Sequence, residues 1–390
     1  MQVYLDSAAT TKPLGNVVNA MLPYLQECYG NPGSKYSLGR EAKAAIDKAR
    51  EQVAVLINAE PEQIIFTSGG SEANNLAIKN AKGRSNIICS NVEHKSVLKY
   101  SSIYHEVLGS PVLKVNEQCV LTEEEVKTKL SGVAVPHKTL VSTMYVNNET
   151  GAVNDIEMIA GYCKKFGMKL HVDCVQALSC LQVDVKKLGC DYASFSAHKI
   201  HGPKGVGCLY IRDPKSLGFS LPSLPKVETH LIDGGSAQEF GMRAGTENVP
   251  GIVGFGEAAL TLSENVGFLD YTKDLSEYFC DELSKRLSPS RYRINCQEFN
   301  NGKTLSITFF GVDSETLLMY LDTNEVYISA GSACTSHETV PSYVLKAIGM
   351  TDEEAFCTVR ISFDWFLTEE KINYALDKIV EGVLMLNPEN

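Results

Sequence analysis

From about residue 16 to residue 250 the apolar positions of this chain follow two alternating rhythms, one repeating every three to four residues and one running continuously over short stretches. The first rhythm gives amphipathic helices and the second gives buried strands. Leu38, Ala42, Ile46, Ala49, Val53 and Leu56 form one stripe, with Glu41, Lys48 and Glu51 off it, so a helix is expected there. Ile64-Ile65-Phe66, Ile87-Ile88-Cys89, Leu140 to Met144 and Lys169 to Val172 are each bounded by polar or glycine-containing turns and are the strand candidates. Helices alternating with such strands predict βα units that feed a mainly parallel sheet.

Beyond about Gly256 the pattern changes. Helical stretches near 257–287, 313–322 and 367–386 alternate with strands near 304–310, 325–329 and 357–363, the signature of a smaller α+β unit. The segment from Asp213-Pro214 to Pro225-Lys226 reads as a surface loop. With 390 residues the chain exceeds the size at which one core stops growing, so two domains are expected.

Composition narrows the function. The net charge is −11 and no lysine or arginine block occurs, which disfavours nucleic acid and anionic membranes as partners. No stretch approaches the roughly 18 apolar residues of a membrane span, and Met1 to Asp6 lacks the marks of a signal peptide, so a cytoplasmic protein is expected. The twelve cysteines are scattered without a C-x-x-C pair, which argues against a disulfide framework or a zinc ribbon. Asn148-Glu149-Thr150 matches a glycosylation acceptor, which carries no meaning in a cytosolic protein.

The chemistry is concentrated around Lys199. It follows the apolar strand Tyr192 to Ser196, and Asp173 ends the apolar stretch Leu170-His171-Val172. A lysine at a strand exit can join covalently to an aldehyde cofactor, and a carboxylate on a neighbouring strand can hold a protonated pyridine nitrogen. The pair suggests pyridoxal 5'-phosphate (PLP), against the plainer readings of a solvated lysine and a turn-capping aspartate. Thr67 to Glu72 is a small-residue turn between a strand and a helix that begins near Ala73; it offers free N–H groups and the positive end of a helix dipole to a phosphate, or a plain helix cap through Ser71. There is no G-x-G-x-x-G, and Gly302-Lys303-Thr304 is half a P-loop in the wrong place, so dinucleotides and ATP are set aside. No metal-ligand spacing occurs, and His198 and His201 are read as lining of the lysine's site.

Two further residues stand out. Arg360 lies in the apolar run Thr358 to Ser362, where an unpaired guanidinium would be costly; its partner is either a substrate carboxylate or a structural acid. Cys334 sits in Ser329 to His337, a run with almost no large apolar group to pin it, unlike the other cysteines.

These residues fall within blocks that resemble the cysteine desulfurases of the NifS/IscS kind, PLP enzymes of the class-V aminotransferase group, from about Tyr4 to Glu370. The blocks are Tyr4 to Thr11, Gly30 to Ser34, Thr67 to Glu72 with Asn74-Asn75, Glu93-His94-Lys95, Val146 to Gly151, the Asp173 and Lys199 segments, Gly241 to Thr246, and Gly331 to Ser336. The resemblance implies an aspartate aminotransferase-like PLP-dependent transferase fold of type I. It has a large PLP-binding α/β domain at 15–256 and a small α+β domain at 257–390, joined by 1–14, that carries the cysteine loop. It also implies roles. Lys199 carries the cofactor and then moves the α-proton; Asp173 keeps the ring nitrogen protonated; His94 stacks on the ring; Asn148 and Gln176 bind near its phenolic oxygen. Gly70, Ser71, Ser196 and His198 hold the phosphate, with Thr246 from a second subunit of a homodimer. Arg360, with Asn148, takes the carboxylate of L-cysteine. Cys334 takes the sulfur as a persulfide and passes it to an acceptor such as an iron-sulfur scaffold or a tRNA-thiolation protein.

The chain departs from the family in three places. Asp364 stands where glycine is frequent, Gly234 to Phe240 is one residue longer with Phe240 at a usually basic position, and Cys174 replaces an alanine and is read as packing. The alternative activities are a selenocysteine lyase or another PLP lyase, and, from a different class, a non-catalytic sulfur-transfer scaffold subunit.

Overall fold

The computed structural model describes residues 1–80, 86–214, 238–331 and 340–388. In chain order the first part contains β1 (Val3–Tyr4), α1 (Gly15–Gln26), α2 (Ser37–Leu56), β2 (Ile64–Thr67), α3 (Gly70–Asn80), β3 (Asn86–Cys89), α4 (Lys95–Leu108), α5 (Glu123–Ser131), β4 (Thr139–Met144), α6 (Ile156–Phe166), β5 (Lys169–Asp173), α7 (Val185–Leu188), β6 (Tyr192–Ser196) and β7 (Gly207–Ile211). The second part contains α8 (Val249–Glu264), α9 (Gly267–Arg286), β8 (Tyr292–Asn295), β9 (Thr304–Phe309), α10 (Ser314–Thr323), β10 (Val326–Tyr327), α11 (Tyr343–Ala347), α12 (Asp352–Phe356), β11 (Thr358–Ser362) and α13 (Glu369–Leu386).

Six strands form the main sheet in the order β2-β7-β6-β5-β4-β3. The neighbours from β6 to β3 run parallel, and β7 runs against both β6 and β2. The apolar runs are continuous because both faces are covered by helices. Within β2, Ile64 and Phe66 join the core shared with α2 and α8, whereas Ile65 joins the opposite core with Ala73 and Leu76 of α3. Leu140 and Val141 of β4 divide in the same way. The predicted stripe of α2 is buried at Ala42, Ile46, Ala49 and Val53. There α8 crosses so closely that a Cβ on Gly256 would lie 2.6 Å from the Ala49 Cα.

A separate apolar cluster gathers Val3 and Leu5 with α9, α10, α13, β9 and β11. Its sheet is antiparallel, in the order β11-β9-β8, and β1 pairs in parallel with β10. Val359, Ile361 and Phe363 face this core. Alternation sends Thr358, Arg360 and Ser362 to the other face, where Thr308 and Thr358 share a hydrogen bond and Asn295 donates to Ser306 and Thr308. The three-stranded sheet is therefore apolar on one side and polar, though buried, on the other.

Two expectations need adjusting. The helix after β2 starts at Gly70 instead of near Ala73, because Gly69, at φ +151°, turns the chain in one residue. The helical stretch near 257–287 is two helices, α8 and α9, since α8 ends at Asn265, whose backbone N–H turns back to Leu262. The expected loop from Asp213 to Lys226 lies largely outside the described residues. No helix among the described residues is long and apolar enough to cross a membrane.

Candidate active site

In an open α/β sheet, ligands collect beyond the carboxyl ends of the parallel strands. Here a cavity of about 250 Å³ lies at those ends, lined by Gly70, Ser71, His94, Asn148, Asp173, Gln176, Ser196, His198, Lys199 and Arg360 among others. Thr246 is exposed and outside the lining, and Cys334 is outside the described residues.

Asp173 is the last residue of β5, level with Met144 of β4 and Ser194 of β6. It is 5% exposed. Its Oδ2 accepts from Asn74 Nδ2 at 2.7 Å and its Oδ1 accepts from the Val175 N–H at 3.0 Å. A carboxylate has about four acceptor positions, so it retains capacity for a further donor. Asn74 also donates to Ser96 Oγ at 2.9 Å, and Ser96 Oγ is 2.7 Å from His94 Nδ1, which accepts from the Ser96 N–H. A polar chain thus runs from the Asp173 carboxylate through an amide and a hydroxyl to the His94 ring.

Lys199 ends the turn after β6, and its Nζ donates to the carbonyls of Ala8 at 2.5 Å and Ala9 at 2.8 Å. Gln176 Nε2 donates to the same Ala8 carbonyl. The N-terminal segment therefore forms one wall of the site. His198 Nδ1 lies 3.2 Å from Thr10 Oγ1; burial, with the Lys199 and Lys204 charges, pulls its pKa down to about 4, so the imidazole is neutral at pH 7. His201, expected to line the site, does not reach the cavity. It packs on Trp365 with ring centroids 4.1 Å apart, donates from Nδ1 to the Lys12 carbonyl at 2.8 Å, and lies 3.5 Å from Asp364. The turn that ends at Lys199 points the two neighbouring histidines to opposite sides, and Asp364, where the family often has glycine, serves the buried one.

At the start of α3 the first N–H groups of the helix have no intrahelical partner. Gly70 and Ser71 border the cavity there with Ser196 and His198. A Cβ on Gly70 would lie 2.5 Å from Val175 Cγ2, two residues beyond Asp173, so this position accepts nothing larger than glycine without a shift. Glu72 braces the turn by accepting from the Ser68 N–H and from Arg243 Nε, each at 2.7 Å. Anion donors at one end, a carboxylate with spare acceptor capacity at the other, and an amine between them fit the phosphate, the ring nitrogen and the aldehyde of PLP.

Arg360 enters from the polar face of β11 and is 2% exposed. Of the two partners expected for it, the structure holds the acid, Asp6. Nη2 donates to Asp6 Oδ1 at 2.7 Å and Nη1 to the Asn148 carbonyl at 3.0 Å, while the buried Nε has no partner. On either side of the Cys334 segment, Ser329 is bridged to Arg360, Ser342 Oγ donates to the Glu149 carboxylate, and Tyr343 Oη donates to the Glu93 carbonyl. Cys174 is fully buried, and burial raises its thiol pKa well above the ordinary value, in keeping with packing.

Sequence reasoning placed Asn74, Asp6, Ala8 and Ala9 within matching blocks but gave them no role. Asn74 had a usable signal, since it follows Gly70 by four residues and so shares its helix face. The carbonyls had none, because a backbone acceptor leaves no mark on residue type.

Comparison with known proteins places nearly the whole chain in one family. Residues 3–374 match the family described as Aminotransferase class-V. The cysteine desulfurase IscS of Dictyoglomus turgidum is 38% identical over 400 residues, spanning 99% of this chain and 96% of its own. Among solved structures, a NifS-like protein superposes with a TM-score of 0.83 at 35% identity, covering 98% of this chain and 99% of that one. A structure of SspA in complex with cysteine superposes with a TM-score of 0.76 at 30% identity, over 93% and 99% of the two chains.

Proposed function

The chain belongs to the class-V aminotransferase family, and from that membership we propose that it is a PLP-dependent cysteine desulfurase, converting L-cysteine to L-alanine and keeping the sulfur on Cys334 as a persulfide. The family uses PLP in general. The observation that carries the reading is the meeting of Lys199, Asp173 and Arg360 in one cavity: a base, an anchor for a ring nitrogen and a receptor for a carboxylate.

When bound, PLP supplies an electron sink next to the substrate Cα. Asp173 would hold the ring nitrogen in its protonated form, His94 would serve the ring, and Asn148 and Gln176 would serve the region of the phenolic oxygen. Gly70, Ser71, Ser196 and His198 hold the phosphate, and Thr246 is supplied from a second copy in a homodimer. Lys199 would hold the cofactor through its amine, and the same amine is placed to carry the substrate Cα proton. Arg360 binds the substrate carboxylate.

Cys334 attacks the substrate sulfur as a thiolate. An S–S bond forms as the Cβ–S bond breaks, and the electron pair stays with the carbon skeleton, which takes up a proton and leaves as alanine. Thiol and cysteine thus become persulfide and alanine with nothing else consumed. The persulfide passes to an acceptor such as an iron-sulfur scaffold or a tRNA-thiolation protein in the cytoplasm, with no direct contact to nucleic acid. In this reading the large unit at 15–256 holds the cofactor, and the unit built from 257–390 with 1–14 brings Arg360 and Cys334 to it.

The test is alanine release from L-cysteine by the reconstituted enzyme, alongside Cys334→Ser. The variant should keep the yellow cofactor and bind cysteine yet form no persulfide; unchanged sulfide production would end the assignment of Cys334.

A further inference from the structure

The N-terminal segment is fastened to β11 residue by residue. Ser362 donates its N–H to the Leu5 carbonyl at 2.8 Å, Ala8 N–H donates to Ser362 Oγ at 2.9 Å, Ser7 Oγ donates to the Phe363 carbonyl, and Asp6 bridges to Ser362. The Asp6 backbone is therefore set beside the strand that carries Arg360. Its side chain delivers one carboxylate oxygen to Arg360 Nη2 at 2.7 Å. Arg360 borders the cavity and Asp6 does not.

A guanidinium has five N–H donors in a rigid fork. One Nη2 hydrogen goes to Asp6 and one Nη1 hydrogen to the Asn148 carbonyl, while Nε is buried with no partner. Each Nη nitrogen carries a second hydrogen, so with one bond to Asp6 and one to the Asn148 carbonyl the guanidinium keeps donors in hand where Arg360 borders the cavity. We propose that Asp6 is a positioning residue for the substrate-carboxylate site. It balances and aims the Arg360 guanidinium from the side away from the cavity, so that the remaining N–H groups meet the α-carboxylate of an incoming amino acid. The inference rests on the desulfurase reading, because it takes Arg360 as the substrate's partner.

The charge arrangement supports this role over a purely structural ion pair. The buried Arg50 is held by both carboxylate oxygens of Glu239, one on each Nη, whereas Asp6 engages Arg360 through one oxygen on Nη2 alone. Losing Asp6 should free Arg360 to rotate without removing its charge. The carboxylate of the substrate would then be bound less well, and steps at the amine and the sulfur would proceed as before.

The experiment compares wild-type holoenzyme with Asp6→Asn and Asp6→Glu on L-cysteine and on cysteamine, which has the same thiol and amine but no carboxylate. Turnover is read as alanine release, and cysteamine binding as the absorbance change of the bound cofactor. Asp6→Asn should raise KM for L-cysteine about tenfold with kcat within about twofold, and leave cysteamine binding unchanged. Asp6→Glu, which restores the charge on a longer stem, should recover part of the loss. An unaltered cysteine KM, or equal weakening of cysteine and cysteamine, would overturn the role of Asp6. If Asp6→Asn does not fold, Asp6→Glu carries the test alone: a raised KM for cysteine with cysteamine unaffected supports it, and equal weakening refutes it. A wild type that releases no alanine from L-cysteine would instead refute the desulfurase reading, which separates the two failures.

Discussion

The six-stranded sheet and the three-stranded sheet each send charged side chains into the same cavity, the first by ending strands and the second by alternating along one. Asp173 closes β5 and Lys199 ends the turn after β6, so their positions follow from where the apolar runs stop. Arg360 is the middle residue of β11 and reaches the cavity because Thr358 and Ser362 share its face while Val359 and Ile361 pack the core behind it. The Lys199 side chain stays partly exposed beyond its strand, whereas Asp173 is buried and met by Asn74 and the Val175 N–H. A mid-strand residue is desolvated on all sides, so Arg360 needs a standing counter-charge in a way that Lys199 does not.

That contrast can be broken first on the large-sheet side. Lys199→Ala removes both the cofactor's attachment and the proton carrier, so alanine formation should fall at least about a thousandfold, general-base catalysis alone being worth about 10²–10⁴. Steady-state rates with PLP in excess measure it. On the small-sheet side, Arg360→Ala should leave the cofactor in place and raise KM for L-cysteine about a hundredfold, as expected for roughly 3 kcal/mol of charge-assisted hydrogen bonding. Titration of the cofactor absorbance with cysteine separates the two variants, since only the first should lose the cofactor band.

Two smaller effects sharpen the comparison. Gly70→Ala pushes a methyl group against Val175, beside Asp173, and overpacking of this kind costs about 1–3 kcal/mol. Cofactor retention on dialysis should weaken about tenfold while KM for cysteine in excess PLP changes little. Glu93, next to His94, is fully buried, and burial pushes its carboxyl pKa up from 4.5 to about 8, against the pull of hydrogen bonds from Ser90 Oγ and the Met144 N–H. Between those values the folded chain keeps a proton that the unfolded chain has lost, so this group's contribution to stability is full below pH 4.5 and declines until about pH 8. Glu93→Gln cannot ionise. Its unfolding midpoint in denaturant should therefore gain on the wild type as the pH rises from 5 to 8; a constant difference over that range would contradict the buried neutral acid.

The same contrast explains what the residues disclosed before any coordinates. Strand ends are legible: an apolar run that stops at Asp173, and another that stops before Lys199, mark both the fold and the chemistry. The small-residue turn at 67–72 was equally plain, although the helix starts at Gly70, because a glycine at positive φ closes the turn sooner than polarity alone suggests. Mid-strand and tertiary contacts are not legible. Nothing near Arg360 in sequence points to Asp6 or to the Asn148 carbonyl, which lie 354 and 212 residues before it. His201 misled for the same reason, since only the fold shows that it turns away to Trp365 and Asp364.

The attachment of PLP to Lys199 is the claim on which the other roles depend. Borohydride reduction of the PLP-loaded protein, followed by peptide mass spectrometry, should place a pyridoxyl phosphate group on the peptide containing Lys199 and on no other. A peptide spanning Lys199 recovered unmodified from protein that had been given PLP would contradict the account.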